Sequence, residues 1–268
     1  LPMIATGFGT TVSAAAVLVA AFMLPYGAGQ VLTGPLGDRF GKIRVAALAL
    51  VLYGLVTMSA LVAESLAGVA LIRALGGLAA GAVIPLLMAH VGDEVPYEAR
   101  QAAIGRFLTG NVMATMLAGP ISGVLGEHFG WRASFLAGGA LALGVGAVLW
   151  WRLVAGRTRQ PASGMSAVAG YLKMLRAPAG RRLLVVTALN GALLFGGSFP
   201  FIASYLIEDF ALSAGEAGLV MAGFGVGALA YTRLAPRLLR RLGEDGMLRA
   251  GGLGLAALLG AIAAAPHW

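Results

Sequence analysis

Cysteine is absent from the 268-residue chain, so it holds neither a disulfide framework nor a thiolate metal site. Histidine is nearly absent too: His90, His128 and His267 are too few and too far apart for an imidazole metal cluster. Charged residues amount to 11%, against about 25% in ordinary soluble domains. No nucleophile with a neighbouring base, carboxylate pair or metal set can be assembled, which argues against an enzyme and against a bound cofactor. The formal net charge of +8 does not imply nucleic acid, because the cations are scattered between apolar runs and form no single basic face.

What the chain has in excess is apolar surface. Apolar residues make up 59% of it and the mean hydropathy is +0.87, more than a water-soluble core can absorb. They come in runs of about 20 residues, the length that crosses the roughly 30 Å hydrocarbon core of a bilayer at 1.5 Å per residue. Eight such spans are expected, at about 11–33, 45–63, 67–90, 104–126, 133–152, 183–207, 215–235 and 247–266. Residues 1–6, Leu-Pro-Met-Ile-Ala-Thr, read as the tail of an earlier helix. With no initiator Met and an apolar run reaching almost to Trp268, the chain reads as a fragment. All spans should be helical, since lipid cannot satisfy an open sheet edge.

Lysine and arginine set the orientation. Seventeen of the nineteen cations fall in alternate connections, Arg132 lies on the other side, and Arg73 falls within a span. By the positive-inside rule the cation-rich side is cytoplasmic, while the opposite connections carry Glu64, Glu127, Glu208, Asp209 and Glu216. This predicts a multi-pass protein of the inner or plasma membrane. The longest connection, 153–182, divides a first bundle (1–152) from a second, partial one (183–268). Within that linker Met165, Val168, Leu172 and Leu175 share one helical face, with Lys173 and Arg176 elsewhere, which predicts an amphipathic helix at the lipid surface.

The stretch GPLGDRFGKIRV, residues 34–45, gathers Asp38, Arg39, Lys42 and Arg44 on a glycine-punctuated loop. It is not a phosphate cradle: only three residues separate Gly37 from Gly41, and Ile43 stands where a P-loop needs a hydroxyl. GFGVGALA at 223–230 satisfies G-x-G-x-x-A but lies inside a span with no preceding strand, where small residues serve close helix packing. In the charged loop Gly34 and Pro35 should end one helix, and Gly41 should supply a tight turn before the next. Asp38, disfavoured at a helix C-terminus, should be met by the nearby cations, making a cluster that holds one conformational state and releases another.

Residues Gly34, Leu36, Asp38, Arg39, Gly41 and Lys42 resemble the cytoplasmic loop between the second and third helices of the major facilitator superfamily, with Ile43 in place of a second basic residue and Arg44 one position later. The resemblance covers the whole chain and implies an all-α polytopic fold of two six-helix bundles, here running from the end of helix 1 to helix 9. Arg73, Gly76, Gly77 and Gly81 resemble the family's helix 4 motif. Gly119, Pro120 and Gly123 resemble the helix 5 motif of the drug:proton antiporter branch, with Val124 where a further glycine is usual, and Gly130–Phe135 resembles the junction before helix 6. As residues alone, Gly119-Pro120 also reads as a kink with close helix contact, and Trp131 with Arg132 as an interfacial anchor. Arg73 lies about 8 Å from the middle of its span, where an unpaired cation costs on the order of 2 to 3 kcal/mol, so it should face a cavity or a partner.

Sliding the sequence by 198 residues aligns Pro2, Ile4 and Ala5 with Pro200, Ile202 and Ala203, and Arg39 with Arg237, while Pro236 takes the place of Asp38. Gly196, Gly197 and Pro200 interrupt their span toward its outer end, and paired breaks of this kind point to a gate. Tyr26, Gln30, Asn111, Asn190, Phe195, Phe199 and Tyr205 are the substrate-cavity candidates, a lining suited to an apolar or amphipathic solute more than to a sugar. Interhelical hydrogen bonding remains the other reading of Asn111 and Asn190.

The resemblance implies a secondary active transporter, probably a proton-coupled exporter of small amphipathic compounds, monomeric and embedded in lipid. No Asp or Glu lies deep in a span, so proton coupling comes from the resemblance alone. A sugar or metabolite permease of the same fold, and a membrane sensor or scaffold without transport, remain open.

Overall fold

The computed structural model describes residues 1–155 and 167–264, and all of its regular secondary structure there is helical. Arg157, Arg159 and Met165 of the expected linker lie outside the described residues. The helices are α1 (Pro2–Gly7), α2 (Val12–Ala15), α3 (Val17–Phe40), α4 (Lys42–Met58), α5 (Leu66–Ala80), α6 (Val83–Glu94), α7 (Tyr97–Phe129), α8 (Trp131–Leu149), α9 (Ala167–Arg176), α10 (Pro178–Asn190), α11 (Phe199–Glu208) and α12 (Ala214–Ala263).

Local chemistry sets several boundaries. Thr11 caps α2 by accepting from the Ala14 N–H at 3.1 Å, and Ser65 caps α5 by accepting from Gly68 at 3.1 Å. A capping box starts α12: the Ser213 hydroxyl accepts from the Glu216 N–H at 3.2 Å, and the Glu216 carboxylate accepts from the Ser213 N–H at 2.9 Å. Gly41 (φ 95) and Gly130 (φ 80) are one-residue connections, α3 to α4 and α7 to α8, in a backbone region that side chains other than glycine rarely adopt.

Two expectations are corrected. Gly34 and Pro35 do not end a helix: α3 continues to Phe40 and turns only at Gly41. An internal proline deletes a single ladder hydrogen bond, a loss that membrane helices tolerate, and Pro25 and Pro120 sit inside helices in the same way. The span count also differs. Among the described residues seven helical stretches are long and apolar enough to cross a membrane: Val12–Phe40, Lys42–Val62, Leu66–Glu94, Ala102–Phe129, Trp131–Val154, Pro178–Glu208 and Ala214–Tyr231. The expected eighth is represented by the shorter apolar stretch Arg249–Ile262, which follows a break within α12 at Gly243 (φ 67, ψ 178).

Glycine and alanine bring the helices together. The closest pairings are α3 with α5, α4 with α8, and α7 with α12. A Cβ on Gly77 or Gly81 would fall on the Phe22 or Tyr26 carbonyl oxygen of α3, so α5 can lie this close only with glycine at both positions. Ala46 and Ala49 of α4 pack with Ala82 and Leu86. Large apolar side chains point outward instead, among them Leu24 at 75% and Leu141 at 70% exposure, which suits a bilayer and not water.

Candidate functional site: switch loop, arginine cavity and outer seam

At the arginine-rich end, the α3–α4 turn meets the end of α6. Lys42, first residue of α4, forms an ion pair with Asp93 in the last turn of α6. Asp38 stands half-buried in the last turn of α3, and the described partner of Lys42 is Asp93, 51 residues away. Gly37, buried beneath Leu86 of α6, sets the distance between α3 and α6. Gly34 and Leu36 belong to α3, Gly41 makes the turn, Arg39 stacks over Phe40 with its guanidinium carbon 5.2 Å from the ring centre, and the Arg44 side chain folds beside Gly41. The start of α7 is tied in as well, because Arg100 donates to the Gly92 carbonyl at 2.6 Å. Sequence reading passed over Asp93 and Gly37. A carboxylate at the end of the following span, at the depth of the charged loop, was the available signal.

Arg73 of α5 faces a cavity of about 200 Å³ within the first group of helices. Its Nε donates to the Leu18 carbonyl at 3.4 Å, and its guanidinium carbon lies 4.3 Å from the Phe22 ring centre. Tyr53, Thr57, Ser134 and Phe135 line the same cavity.

Near the opposite end, α7 and α12 meet along a glycine seam. A Cβ on Gly218 would lie 2.6 Å from the Gly119 oxygen, and one on Gly123 would fall on the Ala214 oxygen. Pro120 adds no donor at this contact. Gly119 and Gly123 border a cavity of about 400 Å³ that is also lined by Pro2, Thr115, Ser122, Trp131, Phe199 and Met221. Ser134 and Phe135 line both cavities.

Trp131 is not an interfacial anchor. At 8% exposure it packs with Leu18, Ala60, Ala63 and Val69, edge-on to Phe135 with ring centres 5.6 Å apart. The turn at Gly130 folds it inward under Phe8, while Arg132 donates to the Ala63 carbonyl at 2.7 Å.

Of the cavity candidates, Phe199 lines the larger cavity and meets Phe224 at 4.9 Å between ring centres. Tyr26 stacks on Phe22, Tyr205 packs edge-on to Phe210, and Gln30, Asn111 and Asn190 are exposed; these five line neither cavity. Phe195, Gly196 and Gly197 fall in a π-helical segment, Gly191–Ser198, that joins α10 to α11, with Pro200 in the first turn of α11. The side chain of Phe195 lies outside the described residues.

Seven membrane-length helices, a charge-paired loop and glycine seams between helices define a polytopic α-helical membrane protein. The sequence matches the Major Facilitator Superfamily over residues 1–268, and the chain belongs to that family. It is similar to the gallate transporter of Pseudomonas putida, 29% identical over 198 residues, covering 74% of this chain and 41% of that protein. The inner membrane transport protein YnfM of Escherichia coli is 29% identical over 154 residues, 58% of this chain and 37% of that one. The 4-hydroxybenzoate transporter PcaK of Pseudomonas aeruginosa is 29% identical over 121 residues, 45% of this chain and 27% of that one. The chain thus spans about 40% of the length of the first of these relatives. Family and relatives place it with transporters and not with enzymes.

Proposed function

We propose that the intact protein is a secondary active transporter that moves small amphipathic solutes across the cell membrane by alternating access. Two helical bundles, divided near residues 153–182, rock about a central path, with the 34–44 loop and the linker on the cytoplasmic side. Proton coupling, outward transport and a monomeric state belong to this reading, and the Gly119, Pro120 and Gly123 resemblance to drug:proton antiporters supports them.

The observation that carries it is the cavity of about 400 Å³ closed by the α7–α12 seam. Its walls are mainly apolar, with the Thr115, Ser122 and Ser134 hydroxyls as the polar side chains among the described lining residues. An amphipathic solute fits such a wall, whereas a sugar would leave most of its hydroxyls without partners. The seam is where two helices of different bundles can part and rejoin without side chains to reorder.

A second reading, a permease for small aromatic acids, is favoured by the names of the gallate and 4-hydroxybenzoate transporters and by the Arg73 cation. Proteoliposomes holding the full-length protein, given an imposed pH gradient, separate the two. Proton-driven movement of an amphipathic cation supports the first, and movement of 4-hydroxybenzoate without it supports the second. Gradient-driven flux of a sugar alone would contradict both, and no energised flux of any probe would contradict transport itself.

A further inference from the structure

Arg73 brings a permanent positive charge to a place where water is scarce, and its neighbours use little of it. The Nε–H reaches the Leu18 carbonyl at the long distance of 3.4 Å, and Phe22 covers one face of the guanidinium. That leaves its two terminal NH2 groups, with four N–H donors, and no ion pair to Arg73 occurs among the described residues. The described residues lining the cavity supply three hydroxyls, from Tyr53, Thr57 and Ser134, and no carboxylate. A fixed cation with hydroxyl donors around it and no counter-charge is the complement of an oxyanion, and a planar guanidinium fork matches a carboxylate bidentately.

The shape adds the second half of the ligand. Ser134 and Phe135 stand between this cavity and the larger apolar one, lining both. A molecule held at Arg73 by its charged end therefore has an apolar space to enter on the other side of Phe135. We infer that the Arg73 cavity is a carboxylate subsite, binding the anionic head of a small monocarboxylate whose apolar body extends past Phe135 into the outer cavity. The inference rests on the transporter reading and narrows its substrate class to amphipathic anions.

The carboxylate could come from a solute or from another part of the intact protein, and the test distinguishes these sources. Equilibrium binding of radiolabelled 4-hydroxybenzoate and of the neutral 4-hydroxybenzamide is measured on purified full-length protein, wild type, Arg73→Gln and Arg73→Lys. The expected result is a wild-type preference for the acid of at least about tenfold, abolished in Arg73→Gln and partly kept in Arg73→Lys, with amide binding unchanged. Equal wild-type affinity for acid and amide would overturn the subsite, and would be the outcome if a protein carboxylate already occupied Arg73. Equal loss of both probes in the variants would also overturn it, because that marks a structural arginine. Should Arg73→Gln fail to insert, the wild-type comparison and Arg73→Lys still decide. If the subsite alone fails, energised flux of amphipathic solutes persists without preference for the acid. If the transporter reading fails, no probe is moved at all.

Discussion

Lys42 and Asp93 are 24% and 50% exposed, so water competes for both charges and their ion pair contributes at most about 1 kcal/mol to stability. Its position gives it more consequence than its strength. The pair ties the first residue of α4 to the last turn of α6, two elements that must separate if the arginine-rich end opens. Asp93→Asn should therefore leave the melting temperature within a few degrees of wild type, while shifting the resting protein toward the form open at that end. Spin-label distances across the end would lengthen, and the exchanged pair Lys42→Asp with Asp93→Lys should restore part of the shift. If single and double variants are indistinguishable from wild type, the pair is only a surface contact. Other residues spoke directly in the sequence. Arg73 stood alone as a cation within a span, and Gly119 and Gly123 carried the spacing of a close helix contact. Asp93 stayed silent, because a partner 51 residues away leaves no periodicity and no local spacing to read.

At the scale of elements, the membrane segments were legible because their length is dictated by the bilayer and not by the rest of the protein. Their ends were less so. A Gly-Pro pair stops a helix in water, where freed carbonyls find solvent, but α3 runs through Gly34 and Pro35 because a new turn in lipid would expose more backbone than one lost bond. Trp131 misled in the other direction: composition placed it at a membrane surface, while the φ of 80° at Gly130 points it into the core. Around Pro200 the sequence signal and the helix geometry meet. Pro200 cannot donate to the preceding turn, and just before it the helix widens to the π-helical segment Gly191–Ser198, where the Ser198 hydroxyl donates to the Leu193 carbonyl at 2.9 Å. Pro2 opens α1 as Pro200 opens α11. We propose that this segment is the hinge of the outer gate. Pro200→Ala restores the missing donor, so the segment should regularise toward an α-helix and hold one end state. Transport turnover should fall severalfold with KM changed less than twofold; an unaltered kcat would remove the hinge from the mechanism.

For the molecule as a whole, orientation in the membrane is the arrangement on which every proposed role depends, since a latch on one side and a seam on the other mean opposite things if the chain is inverted. The charges argue for one solution. The α3–α4 turn, the start of α7, the α9–α10 region and the middle of α12 carry nearly all the arginine and lysine, whereas the turns after α1, before α5 and before α12 carry Glu64, Glu208 and Asp209 with almost none. Moving that many guanidinium groups across a bilayer against the membrane potential is unfavourable for each of them, so the arginine-rich end is held to the cytoplasm. The absence of cysteine makes this directly measurable. Single cysteines are introduced at exposed positions of opposite ends, Arg176→Cys after α9 and Asp209→Cys after α11, in full-length protein expressed in cells. A membrane-impermeant maleimide applied to intact cells should modify Asp209→Cys and spare Arg176→Cys, and lysis should expose the second to the same reagent. The reverse pattern would place the Lys42–Asp93 latch outside, make the α7–α12 seam the inner closure, and require the direction of every proposed step to be exchanged.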